Sequence, residues 1–418
     1  MSVAALQDVR SPKPGLLVVP HIYAEHVSIR EIEFARRLAR YFDTYCLAWD
    51  DALLVDGPRS LSRRSRQFRT ALGAALSPTR LRGEAGAVTY VRAPVCQPIL
   101  LQRFIGMQRA LDFCQFVNGR MLARIIRRCG IEYILLSGGY FRLPKTEGVH
   151  GFYDIVDWFP EDTLPPEKSA TQREQIRRLS ADAERVFAVS EPLAEKLTAD
   201  FGIRAVPLPN GADIASLRSV PVGQVAELRH RLGLNGKFVI GYIGNLGSFT
   251  GVDFLLDAFR AVRLQIPEAA LLLVGPAEYW RERIEAARGE GVVWTGAVAP
   301  RDVGAYFCAL DVGVLPKEKT LGTELAFQLK IVEYSACRKF VVATPLRTLE
   351  RLAWPNVILA ELRVDAWVEA LVRARRSEWR PEWDPLVEPY DWSVLADRIA
   401  SVMLGDKMLA TEDLPCAS

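Results

Sequence analysis

The sequence predicts an α/β protein built from two Rossmann-like domains. Three observations predict it. Apolar strands alternate with amphipathic helices from Gly15 to Leu208. Pro207-Leu208-Pro209-Asn210-Gly211 then punctuates the chain. The same alternation restarts near residue 237 and runs to Thr344. Strands alternating with helices imply parallel, doubly wound sheets. The length of 418 residues suits two or three domains, and half the residues are hydrophobic, enough for large cores.

In order, Gly15-Leu16-Leu17-Val18-Val19 reads as the first strand. A helix follows from Ser28, a natural N-cap with Glu31 three residues on, to Tyr41. Tyr45 to Trp49, Ala87 to Arg92 and Glu132 to Leu136 read as strands, with a long basic helix over 102–128 between the last two. Then come strand 149–156, helix 167–182, strand 185–189, helix 191–200 and strand 203–208. The second series is helix 223–232, strand 237–243, helix 251–265, strand 269–274, helix 278–288, strand 291–294, helix 301–308, strand 311–315, helix 323–337 and strand 340–344. After Tyr390-Asp391-Trp392, Ser393 to Leu404 reads as a capped amphipathic helix. The division is 1–208, completed by a helix within 389–405, and 209–388.

Net charge is only +3, but it is unevenly spread. Gly57 to Gly83 holds seven Arg and no acid: Arg59, Arg63, Arg64, Arg66, Arg69, Arg80 and Arg82. Arg103 to Arg128 holds six Arg against Asp112 alone. Such stretches are solvated faces or attract an anionic bilayer. No nucleic-acid module is recognisable, so nucleic acid is not expected as a partner. The seven Cys are scattered without a CxxC pair, which suits reduced thiols. No signal peptide and no apolar run of about 18 residues is legible, so the expectation is a cytoplasmic protein, peripheral on the inner face of the membrane.

The chemistry-bearing motifs lie mostly in the second half. Lys330 and Glu333 stand one helical turn apart ahead of the apolar strand at Phe340. The Glu can accept from both ribose hydroxyls of a nucleotide while the Lys stands near a phosphate; otherwise the two form a surface ion pair worth about 0.2–0.5 kcal/mol. Gly241-Tyr242-Ile243-Gly244-Asn245-Leu246-Gly247 links a strand to a helix, a place where backbone N–H groups approach phosphate. Its spacing is not GxGxxG, and no acid closes the next strand, which argues against a dehydrogenase. In the first half, Tyr153-Asp154-Ile155-Val156-Asp157 ends a strand. Asp157 lies where that strand exits, as a base candidate or a plain loop turn. Period two puts Asp154 on the opposite face. His21 and His26 follow the first strand.

Ser190-Glu191-Pro192-Leu193-Ala194-Glu195, Pro209-Asn210-Gly211-Ala212-Asp213, Tyr242-Ile243-Gly244, Leu272-Leu273-Val274-Gly275, Asp311-Val312-Gly313-Val314-Leu315-Pro316 and Lys330-Ile331-Val332-Glu333-Tyr334 occur in one order. This order resembles that of GT-B fold glycosyltransferases of the family 4 type, the glycosyl transferases group 1. The resemblance implies two facing domains around a central crevice and a C-terminal helix crossing back to the first domain. It implies a nucleotide-sugar donor, UDP- or GDP-linked, with Glu333 on the ribose. Lys330 and the Gly244, Asn245, Gly247 and Ser248 loop would stand near the diphosphate, with the helix start at Thr323 aimed at the same charge. Gly275, Leu315 and Pro316 would flank the base. The Asp157 segment is similar to that of xanthan-type glucuronosyltransferases, which implies Asp157 as catalytic base. Separately, the place of His21 and His26 after the first strand makes them candidates to touch acceptor or sugar, or plain structural loop residues.

The family's frequent loop Arg and following Lys are Asn245 and Thr250 here, and the first of its paired glutamates is Leu325. No Asp-x-Asp occurs, so no metal or other cofactor is expected. The implied activity moves a hexosyl or glycuronosyl group onto a lipid-linked or polysaccharide hydroxyl in bacterial surface polysaccharide synthesis. A membrane-facing Arg surface would assist. Retention or inversion stays open. The alternatives are a sugar-nucleotide epimerase or hydrolase of the same fold, and a non-catalytic nucleotide-sugar-binding protein.

Overall fold

A computed structural model describes residues 13–21, 29–50, 80–82, 88–98, 101–158 and 165–405. Among these, the N-terminal domain is built on β1 (Gly15–Val19), β2 (Asp43–Asp50), β3 (Arg80–Arg82), β4 (Val88–Pro94), β5 (Ile131–Leu136), β6 (His150–Ile155), β7 (Arg185–Ala188) and β8 (Ala205–Pro207). Their order is β3-β4-β2-β1-β5-β6-β7-β8, and every pairing is parallel except β3 with β4. The C-terminal domain uses β9 (Phe238–Ile243), β10 (Ala269–Val274), β11 (Val292–Trp294), β12 (Val312–Leu315), β13 (Phe340–Ala343) and β14 (Val357–Leu359), ordered β11-β10-β9-β12-β13-β14 and all parallel. Strands covered on both faces should be apolar throughout, and all six residues of β10 are buried.

Two expected helices are interrupted. Gly106, at φ 80°, separates Gln102–Ile105 from Met107–Cys129. The helix expected over 323–337 is two, Leu321–Leu325 and Leu329–Ala336, with Ala326 extended between them. The break has a packing cause. Leu325, 1% exposed, is buried in the N-terminal domain's core rather than its own. Ser190 Oγ–H donates to the Leu325 carbonyl at 2.5 Å, fixing the crossing. Beyond β13 the chain forms helices Arg347–Leu352 and Val364–Arg376 around β14, which sequence patterning left unread. Arg351 reaches back with a two-pronged hydrogen bond to Glu195, 2.7 Å on each oxygen.

The C-terminal helix, Trp392–Leu404, leaves the second domain and packs on the first helix, Ile29–Leu38. Asp391 caps it by accepting from Ser393 N–H at 2.8 Å. Trp392 meets Phe34 edge to face, centroids 5.3 Å apart. Among the described residues no helix is long and apolar enough to cross a membrane.

One side chain ties the first domain to the segment that leads into the second. Arg30, 6% exposed, forks onto fully buried Asp154 with two bonds of 2.9 Å. It also donates to the carbonyls of Leu208 (2.8 Å) and Pro209 (2.9 Å) and to Asn210 Oδ1 (3.1 Å). Asp154 is therefore structural, as its position opposite Asp157 anticipates. Removing one partner of such a pair leaves a buried charge alone, at a cost of about 3–5 kcal/mol. Arg30→Met should lower the melting temperature by several degrees, whereas Arg30→Met with Asp154→Leu should recover part of the loss; a differential scanning calorimetry comparison of the two variants checks this.

Candidate active site

In each sheet the strand order reverses at one point, and open α/β sheets bind ligands at the carboxyl ends of strands there. In the C-terminal domain that point lies between β9 and β12. In the N-terminal domain it lies between β1 and β5. The strand ends deliver Gly244 and Leu315-Pro316 in the first case, and His21 and Ser137 in the second.

The C-terminal side is close-packed backbone over one helix. Gly275 (φ 132°) and Gly244 (φ 147°) face each other so tightly that a Cβ on Gly275 would lie 1.9 Å from the Gly244 carbonyl oxygen. Lys330 lies under Gly244, its Cε 3.2 Å from where a Cβ would stand. The loop beyond is pinned through the Gly247 carbonyl, which accepts from Trp280 Nε1 (2.8 Å) and Thr250 Oγ1 (2.6 Å). Asn245 lies within this loop, and Ser248 opens a short 3-10 turn after it. Tyr334 anchors helix Leu329–Ala336 beneath β9, its hydroxyl donating to the Gly241 carbonyl (3.3 Å) and accepting from Ile243 N–H (3.2 Å). Burial first, then the charge of Glu333, raises the Tyr242 hydroxyl pKa, which places Glu333 beside the β9 strand end.

Lys330 Nζ and Glu333 Oε2 are 2.8 Å apart, both partly buried. The expected pair therefore exists, but under the loop rather than on an open face. Thr323 is committed elsewhere. Its N–H is capped by Thr320 Oγ1 (3.2 Å), and its hydroxyl accepts from Thr320 N–H (2.9 Å) and donates to the Glu318 carbonyl (2.6 Å).

The sequence reading missed Lys317. It follows Leu315-Pro316 directly, and its Nζ lies 4.5 Å from the Phe249 ring centroid. Burial and the nearby charge of Lys330 pull its pKa down to about 8, against the opposing effect of Asp157. Lys317 thus feels Lys330 from its own domain and Asp157 from the other, which places it across the crevice. The available signal was a basic residue directly after a buried strand at the switch point.

On the N-terminal side Asp157 is open to crevice water yet walled by protein. That surrounding burial raises its carboxyl pKa, with Glu31 adding to the rise while His21, Arg30 and Lys317 oppose it. His21 Nδ1 lies 2.5 Å from Oε1 of buried Glu31. Burial resists protonation of His21, but the Glu31 hydrogen bond and the charges of Glu31, Asp157 and Asp154 outweigh it and raise the pKa. The structure thus brings His21, Asp157, Lys317 and Lys330 into one electrostatic group. His26 lies outside the described residues, as do Arg59, Arg63, Arg64, Arg66 and Arg69; Arg80 and Arg82 fall on β3. His150 pairs with exposed Glu184.

The Lys317 environment yields a direct test. Lys330→Met removes a neighbouring positive charge and should raise the Lys317 pKa towards the ordinary lysine range; Asp157→Asn should lower it further. Titration of ¹³C-labelled lysine by NMR reads both shifts, and opposite signs would place Lys317 elsewhere.

Residues 237–376 match the family model of glycosyl transferases group 1. The chain is 30% identical over 232 residues to the GDP-mannose-dependent alpha-(1-6)-phosphatidylinositol monomannoside mannosyltransferase of Mycolicibacterium smegmatis, covering 53% of this chain and 55% of that protein. The matches span less than two thirds of the length of the curated relatives. The fold is similar throughout to sucrose-phosphate synthase from Thermosynechococcus elongatus, with TM-score 0.65, 14% identity and coverage of 94% and 99% of the two chains. It is also similar to Anabaena HepE in complex with UDP and glucose, with TM-score 0.58, 16% identity and coverage of 93% and 95%. The chain has the GT-B fold of two facing Rossmann-like domains, and residues 237–376 within the second of them match the model of the glycosyl transferases group 1.

Proposed function

We propose that the protein is a glycosyltransferase that moves a sugar from a nucleotide-sugar to an acceptor hydroxyl. One observation carries the reading: two lysines and a glutamate surround the β9–β12 switch point, and Asp157 stands across the crevice from them. The diphosphate of the donor lies over the Gly244–Ser248 loop, with Lys330 and Lys317 as its cations. Lys317 takes over the charge that the absent loop Arg supplies in related sequences. With two lysines on the leaving group, the reaction runs without a metal. Glu333 leaves Lys330 to accept from the ribose hydroxyls, and Gly275, Leu315 and Pro316 border the base.

Asp157 accepts the proton of the attacking hydroxyl. The new bond joins that oxygen to the anomeric carbon, and the nucleoside diphosphate departs with the electron pair of the broken C–O bond. A carboxylate whose pKa is raised by its surroundings is a better base than a free one. Lys317 then meets the developing phosphate charge in a water-poor site, where fixed cations act most strongly. His21, held by Glu31, borders the same space and can hydrogen-bond the sugar.

The acceptor in this reading is lipid-linked, as the names of the mannosyltransferase relatives suggest. Helix Met107–Cys129 supports a membrane-facing role. Phe113 and Phe116 are 51% and 63% exposed, and Arg120 lies over the Phe116 ring at 5.3 Å. Aromatic side chains among arginines suit an anionic bilayer surface on the cytoplasmic face.

Thermal-shift screening with UDP-, GDP- and dTDP-sugars should give one clear winner, since a single site adds about 2.7 kcal/mol at a hundredfold excess over Kd. Glu333→Ala should weaken that nucleotide about a hundredfold by calorimetry, as two hydrogen bonds to a charged group are lost. Asp157→Asn should keep nucleotide binding and lower transfer about a hundredfold or more. Donor consumed at an equal rate without acceptor would instead support a hydrolase.

Above pH 8 unliganded Lys317 loses its proton and must regain it to meet a diphosphate, so nucleotide affinity should fall with rising pH. Lys317→Arg should flatten that fall in calorimetric titrations between pH 7 and 9.5. In flotation assays, Phe113→Ser with Phe116→Ser should reduce binding to phosphatidylglycerol-rich vesicles and leave nucleotide affinity unchanged.

A further inference from the structure

A cavity of about 410 Å³ opens beside His21 and Asp157, between the carboxyl ends of β5 and β6 and the helices Met107–Cys129 and Pro166–Asp182. Most of its wall is apolar: Met107, Leu111, Tyr153, Ile155 and Ile176. Two buried polar atoms in this wall, Ser137 Oγ and Gln175 Nε2, have no hydrogen-bond partner among the described residues. Their residues are 7% and 6% exposed.

The Gln175 amide cannot turn to relieve this. Gln115 Nε2 donates to the Gly139 carbonyl (2.7 Å) and to Gln175 Oε1 (2.6 Å). Both protons of Gln115 are committed, so Gln175 must present its oxygen to Gln115 and its NH2 elsewhere. Reversing it would set two NH2 groups against each other. A buried donor held this way lacks its hydrogen bond until a ligand or water brings an oxygen.

We infer that this cavity is the subsite for an amphiphilic acceptor: a hydroxyl-bearing, sugar-sized ring whose oxygens accept from Gln175 and Ser137, with an alkyl portion running along Met107 and Leu111. The inference rests on the glycosyltransferase reading only for the role of Asp157 at the mouth. The volume lies within the usual range of small-molecule pockets. Lys168 stands exposed at the rim and is free to meet an anionic substituent. The apolar side leads towards Met107, where the helix begins that carries exposed Phe113 and Phe116. A chain anchored in a bilayer beside that helix has a short route to Asp157.

The test uses the full chain without nucleotide. Calorimetric titration with octyl β-D-glucopyranoside below its micellar concentration should give saturable binding. Methyl β-D-glucopyranoside and 1-octanol should each bind at least about tenfold more weakly, because each carries only half of the matched chemistry. Gln175→Met and Ser137→Ala should each weaken the octyl glucoside several-fold, and together about tenfold, equivalent to about 1.4 kcal/mol. Ser137→Ala should leave the melting temperature unchanged or raise it, since it removes an unpaired buried hydroxyl; a merely structural Ser137 would lower it. Glu333→Ala should not alter the octyl glucoside titration.

Unchanged affinity in the double variant overturns the subsite, as does equal binding of octanol, which would mark a greasy cleft. Neither result touches the nucleotide site, which the Glu333→Ala titration reads separately. Octyl glucoside bound as expected with no sugar transferred from any donor would keep the cavity and overturn the glycosyltransferase reading.

Discussion

The arrangement depends on the buried fork between Arg30 and Asp154. One guanidinium satisfies a carboxylate on β6 and, on its other side, the carbonyls of Leu208 and Pro209. Its planar donors suit several acceptors at once, which a lysine could not match. Three things are thereby fixed together: the first helix, the strand that leads to Asp157, and the first crossing into the C-terminal domain. Phe34 and Trp392 extend the same knot to the C-terminal helix. The position of Asp157 relative to Lys317 follows from a contact that neither of them makes.

The crevice is an electrostatic compromise. Lys317 and Lys330 repel one another, and burial makes the Lys317 charge costly. Glu333 eases the cost for Lys330, and Asp157 eases it for Lys317 from the opposite domain. Without a ligand Lys330 is paired with Glu333, while Asp157 acts on Lys317 only through its charge. A diphosphate carries more negative charge than either carboxylate can offer, so it can displace them and release Glu333. The ion pair that looks like a stability device thus also keeps an anion site ready.

Local patterning made much of this legible. The strand and helix alternation follows from burial on both faces of parallel sheets, so the strands were readable nearly to their ends. Lys330, Glu333 and Gly244 were readable because their spacing on one loop and one helix is a local property. Lys317 was not, because in sequence it is one of two lysines around Glu318 in a polar loop. Its surroundings, Phe249, Lys330 and Asp157, come from segments distant in sequence. Leu325 was hidden in the same way: it ends a helix of one domain but lies in the core of the other, and that exchange splits the helix expected over 323–337. The Gln115–Gln175 amide chain joins two helices sixty residues apart, a distance no periodicity reports.

The chain crosses between domains twice, at Leu208–Ala212 and at Tyr390–Trp392. The crossings are not independent. Ala212 and Asp391 form an isolated parallel bridge, with Ala212 N–H donating to the Tyr390 carbonyl at 2.9 Å and Trp392 N–H donating to the Ala212 carbonyl at 3.2 Å. Two strands joined this way act as one axle rather than two separate hinges. Sliding one domain along the other would shear those bonds, whereas rotation about the axle leaves them whole. A ligand that spans the two domains therefore meets a joint whose two chain crossings are bonded to each other.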